Sequence, residues 1–343
     1  MKPPTVADLA QHENQVVTAF FLVQSKQVRS TRDGKPYLAL RLSDRTGVVE
    51  ARLWEGVEDV AGSVEQDDVV KVEAVVEPYR GQPQLKLRRL RRAQENEVDL
   101  ADFLPATRED VAALYEELLE VARGVGNAHL RELLLAVLTD AELAPRLKRA
   151  PGAKTLHHAY LGGLLEHVVS LCRLCRVAAQ HYPEVDVDLL LTGAILHDLG
   201  KVYELSYERS FDYTTEGKLV GHIAIAVELV GRKMDAVAGF PRPLRTLVQH
   251  LLLSHHGRLE FGSPVTPRFR EALLLHYLDD LDSKMEAIRG ELASAEQSGR
   301  AGEWTDWNRA LERPLLDREK FLQQALADAP PAETLFDSGP EKK

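Results

Sequence analysis

The chain has 343 residues, 44% apolar and 28% charged, which is the composition of globular domains and enough length for two of them. Its net charge of -10 excludes a globally basic, nonspecific nucleic-acid binder but leaves room for a local basic face, because salt screens charges beyond about 8–10 Å. Two cysteines exclude a disulfide framework and fit a reducing cytoplasm; no apolar run approaches the roughly 20 residues of a membrane span, and MKPPTVADLAQHENQ lacks the apolar core of a secretory signal.

Residues 15–92 read as strands. VVTAFFLVQSKQV is β-rich, RDGKP is a turn, and YLALRLSD and GVVEARLWE alternate on either side of RTG. DDVVKVEAVVEPY and QPQLKLRRLRR continue the pattern around RGQP. Five strands with a longer break at 55–66 predict a small closed β-barrel of the OB type, assigned to residues 12–95. Period-2 alternation sends Leu38, Leu40, Leu42, Val49, Ala51, Leu53, Leu85 and Leu87 inward. It sends Tyr37, Arg41, Arg52, Trp54, Lys86 and Arg88 outward, a mixture of rings and cations that suits single-stranded nucleic acid. The same set is also what a solubilising outer face would carry, and the run Arg88-Arg89-Leu90-Arg91-Arg92 tilts the balance toward binding.

An acidic, proline-containing linker is expected over 96–110, with Thr107 as a helix N-cap and Asp110 three residues on. From 111 to 327 the apolar spacing is helical, so an all-α domain follows the barrel. Between Tyr203 and Leu219 the pattern lapses, which predicts a small hairpin or flap. The Pro-rich end, 328–343, is expected to be disordered. Cys172 and Cys175 form a C-x-x-C, but they keep register with Leu165, Val168 and Ala179 on one helix. With no second pair, they read as core thiols.

Ten of the 12 histidines lie between 157 and 276. A His-Asp pair such as His197-Asp198 in ILHDLGK is close to a chance occurrence in this composition, and the flanking order carries more information. Successive helices bring His167, then His197-Asp198, His222, His255-His256 and Asp279, each about one helix and one connection apart. A bundle converges such residues on one site. Imidazoles and carboxylates together bind Mn, Fe, Co, Ni or Zn. A carboxylate among imidazoles bridges two metals, and Asp198 is the natural bridge; two such ions activate water and stabilise the oxygens of phosphate-ester hydrolysis. Lys201 meets a phosphate oxygen either from the same helical face as Asp198 or, if Gly200 ends the helix, from a loop over the site. His250 and His276 read as packing residues, and His181 suits a helix C-terminus. His157 and His158 stand equally as helix-entry residues or as contacts to substrate phosphate. Asp282, three residues past Asp279, is placed to orient a ligand.

GGLLEHVVSL, GAILHDLGKVYEL, YTTEGKLVGHI, LLSHHGRLEFGSPVTP and LLHYLDDLDSKM resemble the HD-domain phosphohydrolases. More narrowly, the chain resembles the YhaM-type 3′-to-5′ exoribonucleases, which set an OB-fold before the HD domain, over about residues 10–320. That resemblance implies a metal-dependent nuclease, commonly with Mn, that shortens single-stranded nucleic acid from its 3′ end. It makes His167, His197, Asp198, His222, His255 and Asp279 metal ligands, with His256 a ligand or substrate contact, and prefers Asp279 over Asp282. Catalysis would rest on Asp198 and Lys201, with two ions. The expected partner is single-stranded RNA, with single-stranded DNA as the alternative and no membrane; a homo-oligomer is left open. Two rivals remain at this level: an HD phosphohydrolase of nucleotides or cyclic dinucleotides, and a non-enzymatic single-strand-binding protein.

Overall fold

The computed structural model describes residues 3–31, 33–79, 81–94, 96–98, 102–154, 158–207, 211–297, 302–308 and 311–327. The tail assigned to 328–343 and His157 lie outside them. By contacts the chain divides into Met1–Asp282 and Ser283–Lys343.

Five strands, β1 (Val16–Ser30), β2 (Pro36–Asp44), β3 (Gly47–Leu53), β4 (Val69–Tyr79) and β5 (Gln82–Arg92), close a barrel in the order β1-β2-β3-β5-β4. Only β3 and β5 run parallel. All eight residues expected to point inward are buried, with Phe21, Val70 and Val72 among them. A 3-10 turn, Val6–His12, adds Leu9 to this core. The sequence reading missed the short helix α1 (Val57–Ala61) in the break between β3 and β4; it buries Val57. A bulge opposite Glu73/Ala74 makes Arg88 the extra residue of β5, since Leu87 pairs with Ala74 and Arg89 with Glu73. Both Arg88 and Arg89 are therefore exposed before Leu90 turns inward, as a bulge requires when it resets the alternation.

The helices of the larger core are α2 (Val111–Arg123), α3 (Ala128–Leu138), α4 (Leu143–Arg149), α5 (Gly163–His181), α6 (Val187–Leu196), α7 (Lys201–Glu204), α8 (Thr215–Val220), α9 (His222–Ala236), α10 (Arg242–Ser254) and α11 (Arg270–Gln297). All of them but α8 contribute apolar side chains to one cluster that includes Leu118, Leu134, Leu164, Leu190 and Leu251, and both cysteines. Burial pushes the Cys172 thiol up to about 12 and the Cys175 thiol well above its usual range, so neither is a thiolate at neutral pH.

Two local expectations change. Asp110, not Thr107, caps α2: its carboxylate accepts from the Ala112 and Ala113 amides, and the Thr107 hydroxyl donates instead to Glu166. The segment after Tyr203 does hold a hairpin, β6 (Leu205–Ser206) with β7 (Asp212–Tyr213), but α8 follows it directly, capped by the Thr214 hydroxyl. The linker is also packed. Phe103 and Leu104 are buried with Leu22 and Val69 of the barrel and with Leu161 ahead of α5, and Leu161 exchanges backbone hydrogen bonds with Pro105 and Thr107. Burial of two such side chains contributes about 1.5–3 kcal/mol each, so barrel and helices up to Asp282 form one packed unit.

In the second unit, after the end of α11, Thr305 and Asn308 bond to Leu315 and Arg313, and Asp317 caps α12 (Arg318–Ala327). No helix among the described residues is long and apolar enough to cross a membrane.

Candidate metal centre and nucleic-acid interface

α6 is apolar on every side and buried from Leu189 to Leu196, so it carries the turn at its C-terminus into the middle of the helical core. His197 and Asp198 sit on that turn, 0% and 3% exposed. Gly200 makes the turn possible: a Cβ there would lie 2.0 Å from the His222 carbonyl oxygen. The close approach brings the start of α9, and with it His222, against Asp198.

Seven of the expected residues come together in two clusters: Asp198, His222, His255 and His256 in one, His167, His197 and Asp279 in the other. Asp198 faces both. Its Oδ2 lies 3.2 Å from His197 Nε2, and its Oδ1 lies 3.5 Å from His222 Nε2 and 3.7 Å from His255 Nε2. His167 Nε2 is 3.4 Å from His197 Nε2 and 3.2 Å from Asp279 Oδ1.

All five imidazoles are turned by what holds Nδ1. His197 Nδ1 donates to the Ala194 carbonyl at 3.0 Å, His255 Nδ1 to that of Leu252 at 2.8 Å, and His256 Nδ1 to that of Phe261 at 2.7 Å. His222 Nδ1 meets Glu204 at 3.1 Å, and His167 Nδ1 meets Asp282 at 2.8 Å. The Ser170 hydroxyl donates to Asp282 at 2.6 Å and steadies it in turn. With every Nδ1 engaged, the five Nε2 atoms point inward. Partners of this kind fix the tautomer and raise the basicity of a ligating imidazole. Asp279 thus lies on the Nε2 side of His167 and Asp282 on the Nδ1 side.

Three inward atoms, Asp198 Oδ1, His222 Nε2 and His255 Nε2, are buried without a hydrogen-bond partner. Buried polar atoms rarely stay unpaired, and these three converge. Metal bonds of about 2.1 Å place adjacent donors roughly 3.0–3.4 Å apart, close to the separations seen. The donor set fits a divalent cation. Electrostatics agree: burial alone would raise Asp198 and Asp279, but Lys201 and His197 hold Asp198 ionised, and His197 and His167 hold Asp279 ionised. Burial, then the neighbouring His197 and His256, holds His255 neutral with its Nε2 lone pair available. Burial lowers His167, but Asp279 and Asp282 on either side outweigh it and push it up to about 10. That field favours positive charge at His167, which a proton or a metal ion supplies.

Lys201 starts α7 and is half-buried. Its ammonium donates to Asp198 Oδ2 and to the Gly152 carbonyl, both at 2.7 Å. His158 is 4% exposed with φ +52°, and its ring lies 5.3 Å from that of His167. His250 Nε2 accepts from the Arg268 amide and His276 Nδ1 donates to the His255 carbonyl, so both serve structure. Sequence spacing did not reveal Glu204, because nothing in VYEL marks which residue will face His222.

On the barrel, Tyr37 and Trp54 stack on each other, with centroids 4.6 Å apart and planes 24° apart, and Trp54 is 41% exposed. The Arg52 guanidinium lies 5.5 Å over the Tyr79 ring, adding an aromatic the sequence reading left out. Arg41 and Lys86 are ion-paired at the surface, with Glu50 at 3.7 Å and Glu77 at 3.5 Å. Arg88 lies apart from them in a groove of about 550 Å³ with Arg89, Arg91 and Lys71.

Known proteins show matching parts. The HD-domain family matches residues 164–284 and the OB-fold nucleic acid binding domain family matches residues 22–93. The 3′-5′ exoribonuclease YhaM of Geobacillus sp. (strain WCH70) is 38% identical over 300 residues, 86% of this chain and 90% of that one. Among solved structures, the second OB-fold domain of replication protein A from Methanococcus maripaludis is 22% identical and covers 24% of this chain and 88% of its own, with a TM-score of 0.20. A replication protein A heterotrimer bound to single-stranded DNA is 15% identical over 28% of this chain and 83% of its own, with a TM-score of 0.23. With an OB-type barrel, a packed linker, an HD helical core and 38% identity along nearly the whole length of that relative, the chain belongs to the YhaM 3′-5′ exoribonuclease family.

Proposed function

We propose that the protein is a metal-dependent exonuclease that hydrolyses single-stranded RNA from its 3′ end to nucleoside monophosphates, with single-stranded DNA as an alternative substrate. The observation that carries this reading is Asp198: its two carboxylate oxygens face two separate His/Asp clusters, the arrangement a bridging ligand of two ions requires. His167, His197 and Asp279 would hold one ion, and His222, His255 and His256 the other. Manganese heads the candidates, with Fe, Co, Ni and Zn fitting the same donors. When bound, such ions activate water and neutralise charge on the phosphate.

The chain's own residues do the rest. Asp282 and Glu204 keep His167 and His222 turned inward. Lys201 keeps Asp198 ionised and in place; it touches a phosphate oxygen only by leaving Asp198. His158 lines the same interior and is assigned to the substrate phosphate. Tyr37 and Trp54 offer a stacking surface for bases, and Arg41, Arg52, Lys86 and Arg88 offer cations for the backbone. In this reading residues 12–95 bind the strand, 96–110 connect, 111–327 hydrolyse, and the protein works in the cytoplasm.

The test is 5′-labelled single-stranded RNA incubated with the protein and Mn. A ladder shortening from the 3′ end, lost in Asp198→Asn, is expected. Intact RNA alongside hydrolysed nucleotides would replace this reading with a small-molecule phosphohydrolase; tight RNA binding with no hydrolysis of either would leave a binding protein.

A further inference from the structure

The loop after the His255-His256 pair carries side chains that neither metal binding nor packing explains. Leu259 and Phe261 are 61% and 58% exposed, although each is tethered within a few residues of a buried, polar centre. The backbone of this loop is tied to the centre. The Phe261 carbonyl accepts the His256 Nδ1 hydrogen at 2.7 Å, so the backbone that bears this ring is only one imidazole away from the inward-facing His256 Nε2. Gly257 opens the loop at φ +76°, pressed against His276, where a Cβ would lie 2.3 Å from the ring. His276 is itself bonded to the His255 carbonyl. The Arg258 guanidinium lies 5.6 Å from the centroid of the Phe261 ring.

An exposed ring backed by a guanidinium and locked to a ligand-bearing histidine is the chemistry of a nucleobase platform. Stacking accepts any base, because each has a π face, and Arg adds a cation for the adjoining phosphate. From this geometry we propose that Phe261, with Arg258, stacks the base of the 3′-terminal nucleotide and so positions its phosphodiester over the His/Asp clusters. Phe261 is a positioning residue for a single-stranded end. It is distinct from the Tyr37–Trp54 stack on the barrel. A duplex end, whose terminal base is already stacked and paired, forfeits this contact unless it frays. The inference rests on the exonuclease reading and adds to it where the terminal base goes.

The experiment compares two short 5′-labelled single-stranded RNAs with Mn, one ending in an ordinary nucleotide and one whose last ribose is abasic. Wild type is expected to show a KM about tenfold lower for the base-bearing end, within the range for one base–aromatic stack. In Phe261→Ala that preference collapses toward one, and in Phe261→Trp it returns. Cleavage of the abasic RNA by each variant verifies that it is folded. If wild type degrades RNA but Phe261→Ala keeps the full preference, the platform is wrong and the exonuclease reading stands. If wild type degrades neither RNA, the exonuclease reading falls and the platform with it.

Discussion

Single atoms decide the chemistry of the centre. His167 is held from both sides, by Asp279 at Nε2 and by Asp282 at Nδ1, and the two carboxylates have different work. Asp282→Asn keeps the shape but removes the charge that fixes the His167 tautomer, so metal affinity should fall about 10–100-fold with the fold intact. Titration calorimetry with Mn reads this directly, and an unchanged affinity would remove Asp282 from the site. The order of His167, His197-Asp198, His222, His255-His256 and Asp279 was legible along the chain because each candidate ligand arrives on its own element. Glu204 was not legible: its role depends on α7 folding back on α9 across Gly200, a contact no spacing encodes.

At the scale of elements, the helical core is joined by polar staples at its connections. Asp140, between α3 and α4, accepts from the Glu142 and Leu143 amides and from Lys233 on α9. The Lys233 hydrogen bond, then the two amides, lowers its carboxyl to about 2. A depressed folded pKa contributes stability that is full above the unfolded value near 4 and is lost as pH falls toward 2. Asp140→Asn should therefore shrink the loss of unfolding free energy between pH 5 and pH 2 by about 1–2 kcal/mol, read by urea denaturation at each pH. An identical pH dependence in the variant would exclude the staple. The barrel shows the limits of alternation. Period 2 placed Leu85, Leu87 and the outward Arg88 correctly, then failed at Arg89, which is exposed where alternation would turn it inward, because a bulge inserts one residue without any residue type that demands it.

For the whole molecule up to Asp282, the packed linker changes how the two halves are tested. Phe103 and Leu104 are buried against Leu22 and Val69, so removing the barrel would expose an apolar face on the helical half. Point changes are cleaner. The double substitution Tyr37→Ala/Trp54→Ala removes the surface stack but no core contact of the barrel. It should raise the KM for long single-stranded RNA about tenfold or more, while the rate of dinucleotide cleavage should change far less. Equal effects on both substrates would mean that the barrel face takes no part in holding the strand.

The sequence by itself determined the class of each half. Alternation at period 2 and spacing at 3.6 are imposed by burial on one face, so the five strands, the long helices and their core side chains could be read from the chain, and so could the list of candidate ligands. Only the tertiary structure decided what those ligands do together. Which oxygen of Asp198 faces which cluster, which of Asp279 and Asp282 meets Nε2 of His167, and that Lys201 is spent on Asp198 all depend on close approaches between elements far apart in the chain. Such approaches are set by packing, and packing is a property of the assembled core, not of any stretch of residues within it.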